Sequence, residues 1–261
     1  MTEKITRVTI KTYNDKKEII AMKDGYLFGY KQIQEIRNRN KEQKINSSSY
    51  KTMMKSRRRA YQKILDYVDC NNFKYFMTLT FGNFIIDRLN HSETRKAFSK
   101  WIAAIKRKDK NLKYIAVAAY KNNALHFHLL IDTAAENLGL VDSMEKNYIN
   151  GTWHIIYIVG KWKYGLNSAT ELWNRESAKF YLANNLNYQT DIEFLGKKRY
   201  SASRNLKKPV IKKSVYPCND EFNIRDSILI ENYNIDYEDK DKGYIILSRD
   251  LHSSEQISYY Q

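Results

Sequence analysis

The chain has 261 residues, 43% of them hydrophobic, with 45 Lys and Arg against 29 Asp and Glu, a formal net charge of +16. At about 100–200 residues per domain, that is one large domain or one domain with extensions, enough to bury a real core. The sequence offers no apolar run of about 18 residues, no apolar leader core in MTEKITRV, and only Cys70 and Cys218, so a membrane span, a secretory signal, a disulfide framework and a thiolate zinc site are not expected; the expectation is a cytoplasmic protein with reduced cysteines.

Residues 1–50 read as an N-terminal extension and linker: ITRVTIKTY and GYLFGYKQI alternate as strands do, and the polar stretch RNRNKEQKINSSSY follows. From Ser56, SRRRAYQKILDYV places Ala60, Ile64, Tyr67 and Val68 on one helical face. Arg57, Arg58 and Arg59 crowd the expected start of that helix, where they oppose its macrodipole, so a negative partner such as DNA is expected beside them. Tyr75 to Phe81 (YFMTLTF) alternates as a strand, and Ser92 to Lys108 carries Phe98, Trp101, Ile102 and Ile105 as a helical stripe.

Two strands are expected next, Tyr114 to Tyr120 and Ala124 to Ile131, joined by the polar turn Lys121-Asn122-Asn123. Trp153 to Val159 reads as a further strand and Ser177 to Asn187 as a helix bearing Phe180 and Tyr181. This order of elements predicts an α+β domain over residues 51–217, an antiparallel sheet covered by helices on one face. Residues 218–261 hold 4 basic and 10 acidic residues and form an expected acidic C-terminal extension, leaving 41 basic against 19 acidic, or +22, on residues 1–217. A body that basic suits a polyanion, because each neutralised phosphate releases condensed counterions.

The sharpest local feature is LHFHLLI, residues 125–131. In a strand, side chains at i and i+2 leave the same face, so His126 and His128 can converge on one cation while Leu125, Phe127 and Leu129 face a core. On its own, such a pair equally fits core or surface histidines.

Its context carries more. NNFKYFMTLTF (71–81), LKYIAVAAYKNNALHFHLLI (112–131), WKYGLNSATELWNRESAKFYLANNLNY (162–188) and GKKRYSASRNLKKP (196–209) follow one another in the order of the motifs of the HUH endonuclease superfamily. They resemble those of rolling-circle replication initiators of phages and plasmids. The resemblance implies an HUH/RRM-like nuclease fold and a metal-dependent DNA endonuclease and strand transferase. His126 and His128 match its metal ligands and Tyr181 its nucleophile, with Mg²⁺ or Mn²⁺ as cofactor. The implied reaction nicks single-stranded or hairpin DNA at a replication origin, forms a 5′-phosphotyrosine and frees a 3′-hydroxyl. Host helicase and polymerase are implied partners, and no membrane is.

Two positions depart from the family pattern. Relatives often supply a third ligand as a Glu on the strand that here reads Ala118-Ala119-Tyr120, and the Lys and second Tyr that follow the nucleophile fall on Asn184 and Asn185. Asn185 lies four residues after Tyr181, hence on the same helical face, and an amide oxygen can ligate a hard cation; Asn185, or else Asn184, is the expected substitute. DNA contacts are expected from Thr78, Thr80, Lys197, Lys198, Arg199, Tyr200, Ser203, Arg204, Lys207 and Lys208, a basic cluster with an aromatic on which a base can stack. A catalytically silent origin-binding protein is the alternative. A relaxase or single-strand transposase fits less well, because Tyr181 follows the histidine pair rather than preceding it.

Overall fold

A computed structural model of the chain describes residues 4–26, 48–82, 84–121, 124–149, 151–188, 198–217, 234–239 and 244–250. The chain divides into two compact units, one formed by residues 1–49 and 208–261 and the other by Tyr50–Lys207. In the first, β1 (Lys4–Thr12) and β2 (Lys16–Tyr26) join three later strands, β10 (Val210–Pro217), β11 (Asn234–Asp239) and β12 (Tyr244–Asp250). All pair antiparallel in the order β10-β1-β2-β12-β11. Segments that the sequence suggests as two separate extensions thus share one sheet. The 27–33 part of the expected strand GYLFGYKQI, and the polar stretch up to residue 47, lie outside the described residues.

The second unit opens with helix α1 (Ser48–Cys70). Arg57, Arg58 and Arg59 therefore stand near its middle, not at its first turn, which removes the macrodipole conflict expected there. The sequence signal is truncated because Ser48 to Lys55 carries no apolar stripe long enough to announce a helix. Next come β3 (Tyr75–Leu79), α2 (His91–Lys108), β4 (Lys113–Lys121), β5 (Ala124–Asp132) and the single turn α3 (Ala135–Leu138). The chain continues through β6 (Leu140–Ile149), β7 (Thr152–Val159), β8 (Asn167–Glu171), α4 (Arg175–Asn184), a 3₁₀ turn (Asn185–Tyr188) and β9 (Tyr200–Ala202). The seven strands form an antiparallel sheet in the order β6-β7-β8-β3-β5-β4-β9, the α+β architecture expected. The tip Asn122-Asn123 of the β4–β5 connection lies outside the described residues.

Strand alternation sorts the core into two layers. Met77, Leu79, Ala116, Ala118, Leu125, Phe127, Leu129 and Ile131 turn to one face and pack on Phe98, Trp101, Ile102 and Ile105 of α2. Ile115, Val117 and Leu130 turn to the other, beneath Ile64 and Val68 of α1 and Leu182 and Ala183 of α4. Helices therefore cover both faces rather than the one face expected. The reason is visible in β5, where Leu129, Leu130 and Ile131 are consecutive and all buried, so neither side can be left to solvent.

Two fastenings set the position of the site. Trp162 donates its indole N–H to the Thr80 carbonyl at 2.9 Å, and a Cβ on Gly165 would lie 2.6 Å from both Gly82 N and Thr80 O, so only glycine lets the 162–166 segment close against the end of β3. On the opposite face, the ammonium of Lys179 on α4 reaches Asp69 on α1 at 2.8 Å and Glu176 at 2.6 Å, with Lys179 and Asp69 both buried. An ammonium without its carboxylate in such a place is strongly destabilising. Asp69→Ala is expected to lower unfolding free energy by about 3 kcal/mol, the low end for a broken buried pair because Glu176 remains; urea denaturation reading a loss below about 1 kcal/mol would show that the pair does not hold α4.

Candidate active site

Phe76, Thr78, His126, His128 and Leu130 share the sheet face that looks toward α1 and α4. The register gives the reason: Thr78 of β3 pairs with His128 of β5, and Phe76 with Leu130. Two short, adjacent strands thus bring residues far apart in sequence to one spot.

His128 is the centre of the cluster and only 5% exposed. Its Nε2 lies 3.0 Å from Nε2 of His126 and 3.4 Å from the phenol oxygen of Tyr181, while its Nδ1 lies 3.0 Å from Oγ1 of Thr78. Phe76 stacks on the His128 ring at 6.0 Å and meets Tyr181 edge-on at 5.5 Å, filling the corner between nucleophile candidate and imidazole. Burial, reinforced by the neighbouring His126, pushes the His128 imidazole down to about 4. At neutral pH it is uncharged and carries one N–H. With that N–H on Nδ1 and donated to Thr78, the Nε2 lone pair points at His126 and Tyr181, the tautomer a metal ligand needs.

Tyr181 is brought here by the start of α4. Asn174 caps that helix, its side chain accepting from Ser177 N at 2.8 Å, so α4 begins just ahead of the expected Ser177. Lys179 and Leu182 then turn to the core and Tyr181 stays 49% exposed at the rim, open to a large substrate. Asn185 ends the helix; its Nδ2 donates to the Tyr181 carbonyl at 2.8 Å and its side chain is buried. The 3₁₀ turn that carries it packs on β4, in which Ala119 stands directly opposite His126. A methyl group thus occupies the sheet position from which a carboxylate would face the histidines. Among the described residues no group of three or more His, Cys, Asp or Glu gathers in one place. Asn184 is exposed.

The remaining expected DNA contacts divide. Thr78 is engaged with His128, and Thr80 Oγ1 donates to the Leu166 carbonyl at 2.6 Å. In the basic segment, Arg199 is 5% exposed and Tyr200 packs edge-on against Tyr67 at 6.4 Å, its phenol pushed up to about 12 mainly by burial. Ser203 accepts from Tyr114 N at 3.1 Å, and its own N donates to the Tyr114 carbonyl at 3.0 Å. These three fasten β9 to the sheet edge and are not an open phosphate surface, which corrects the sequence expectation for them. Lys198, Arg204, Lys207 and Lys208 do face solvent, as do Arg58 and Arg59, with Arg57 half-buried; Lys197 lies outside the described residues. Reading from sequence missed Phe76, although its place two residues before Thr78 puts it on the same face, and Lys179, hidden because a lysine in a helix usually signals solvent.

Residues 74–189 match the family model for replication-associated proteins of the ORF2 type. The matched stretch contains Thr78, His126, His128 and Tyr181, and the match supports a replication initiator. No match was found among curated proteins or among solved structures. Titrating His128 by NMR in the metal-free protein is expected to give a midpoint near 4, with the neutral ring persisting well below pH 6. Since the folded value lies below that of a free imidazole, the group favours the folded state above about pH 6.5 and that contribution is lost as pH falls toward 4. A midpoint near 6.5 would mean the ring is not buried as described.

Proposed function

We propose that the protein is a replication initiator that nicks one DNA strand through Tyr181, with a divalent cation, Mg²⁺ or Mn²⁺, held by His126 and His128. The single observation carrying this is the meeting of three groups from separate segments, the Tyr181 phenol oxygen 3.4 Å from His128 Nε2 and that nitrogen 3.0 Å from His126 Nε2. The match to a replication-associated family over residues 74–189 supports the biological setting.

The donor set fits a cation. Two nitrogens each about 2.1 Å from one metal and at right angles are about 3.0 Å apart, which is the separation observed. Both Nε2 atoms face the same point, and the neutral state of His128 leaves no proton to displace at physiological pH. A third ligand is needed from elsewhere, and the buried amide of Asn185, whose Nδ2 is already used on the helix, has its oxygen for that role. When bound, the cation supplies Lewis-acid polarisation of the scissile phosphate.

The chain's own groups do the rest. The exposed phenol of Tyr181 attacks phosphorus, the bond from phosphorus to the 3′-oxygen breaks, the departing oxygen takes up a proton as the phenol loses its own, and one phosphodiester becomes a 5′-phosphotyrosine with a free 3′-hydroxyl. Bond energy is conserved in that ester, so the strand can be rejoined, which water attack would not allow. Phe76 keeps the phenol and the imidazole from closing on each other and excludes water on the core side. The exposed cations of α1 and of the segment following β9 suit the flanking phosphates.

A labelled pool of random single-stranded and hairpin oligonucleotides, incubated with the protein and Mn²⁺, is expected to give an SDS-resistant adduct that chelator abolishes and Tyr181→Phe eliminates. Non-covalent binding without any adduct would instead identify a catalytically silent origin binder, the reading that Ala119 opposite His126 favours. Calorimetric Mn²⁺ titration is expected to show Asn185→Ala and Thr78→Val each weakening the site by about 10- to 100-fold, the scale of losses when orienting partners of a metal ligand are removed. Unchanged affinity in Asn185→Ala would remove the amide from the ligand set.

A further inference from the structure

Tyr181 borders a second feature. On the side away from His126, a cleft of about 430 Å³ opens between α4 and the strands β6, β7 and β8, and Tyr181 and Phe76 form part of its wall. Its opposite wall is His154 stacked on Trp173, with centroids 4.8 Å apart and planes 30° from parallel, and Trp173 remains 41% exposed. The β6–β7 pairing sets Asn147 beside His154 at the cleft edge, and Ser168 and Thr170 of β8 line its floor.

The chemistry of this lining is selective. In a chain with 45 Lys and Arg, none of those among the described residues lines the cleft, and the one ionisable acid there, Glu171, would repel a phosphate. Aromatic faces, amides and hydroxyls without a cation suit a flat, neutral, hydrogen-bonding ring, which in a strand of nucleic acid is the base and not the backbone. An indole held on one side by an imidazole is a fixed platform, so little side-chain freedom is lost when a ring settles on it. Because Tyr181 is wall to this cleft and neighbour to His128, a base seated here would belong to the strand whose phosphate lies at the phenol.

We propose that this cleft takes one unstacked base of the attacked DNA strand, with Trp173 as its stacking surface and Asn147, Ser168 and Thr170 at the base edge. The cleft would thus act as a positioning and specificity-determining pocket, deciding which phosphate reaches Tyr181 and requiring the strand to be unpaired there. The proposal rests on the nicking reading only for the identity of that strand.

The test measures binding without metal, so that it does not depend on chemistry. Fluorescein-labelled dT15 and a 15-mer of abasic residues with the same phosphates are titrated against the full chain, Trp173→Ala and Trp173→Phe, with circular dichroism as the folding control. Wild type is expected to prefer dT15, Trp173→Ala to lose about 5- to 100-fold of its affinity for dT15 but little for the abasic strand, and Trp173→Phe to retain most of it, the range seen for removal of one base-stacking aromatic. Photocrosslinking of a 5-iodouracil-substituted dT15 to wild type should label Trp173 or His154, which also decides the matter should Trp173→Ala fail to fold. Equal dT15 binding by wild type and Trp173→Ala, or crosslinks confined to other segments, would overturn the proposal while leaving the Tyr181 adduct assay unaffected. Base-dependent binding through Trp173 in a protein that forms no adduct would uphold the cleft and refute the nicking reading.

Discussion

The burial of His128 between Thr78, Phe76 and Tyr181 is the constraint on which the candidate centre depends. An imidazole exposed to water would titrate near neutrality and rotate among solvent partners; this one is kept uncharged by desolvation and oriented by a hydroxyl on the neighbouring strand. That arrangement exists only because α4 lies over the sheet, and α4 lies there because Leu182 and Ala183 complete a core layer with Ile64 and Val68 while Lys179 is tied to Asp69. The same helix that seals the histidine from above carries the phenol. Core packing and chemical geometry are therefore one interaction seen from two sides.

Much of this was legible in the residues. The alternation of β5 put His126 and His128 on one face, and the stripe Phe98, Trp101, Ile102, Ile105 marked α2, because strong periodicities of 2 and 3.6 survive tertiary context. What was not legible lacked such a period. β6 reads LVDSMEKNYI, largely exposed and broken at a bulge where Met144 takes φ 64 and Asp142 accepts from its N–H, so no apolar rhythm announces it. β8 is a polar NSATE whose place between β3 and β7 comes from pairing alone. The second layer of helices was masked because α1 begins well before its apolar stripe becomes visible, and the cleft beside Tyr181 is built from just these unannounced strands.

Arginine and lysine content described the molecule's appetite for phosphate but not where it is expressed. Arg199 and Tyr200 look in sequence like a cation beside a stacking ring, yet both pack against the edge of the sheet, while Trp173 and His154, unremarked in the sequence, hold the open aromatic surface. Composition reports on the whole surface and cannot sort a buried arginine from a solvated one. The absence of a carboxylate opposite His126 was legible, and the fold gives it meaning by packing the turn that bears Asn185 on that same strand.

The claim beneath all of this is that two imidazoles and a phenol are arranged around one cation. The most direct measurement is a crystal grown with Mn²⁺ and examined by anomalous scattering. The account requires a single manganese peak bonded to Nε2 of both His126 and His128, on the side facing the Tyr181 oxygen. Manganese bound elsewhere, or saturating Mn²⁺ that leaves the two rings still in contact with each other, would contradict it.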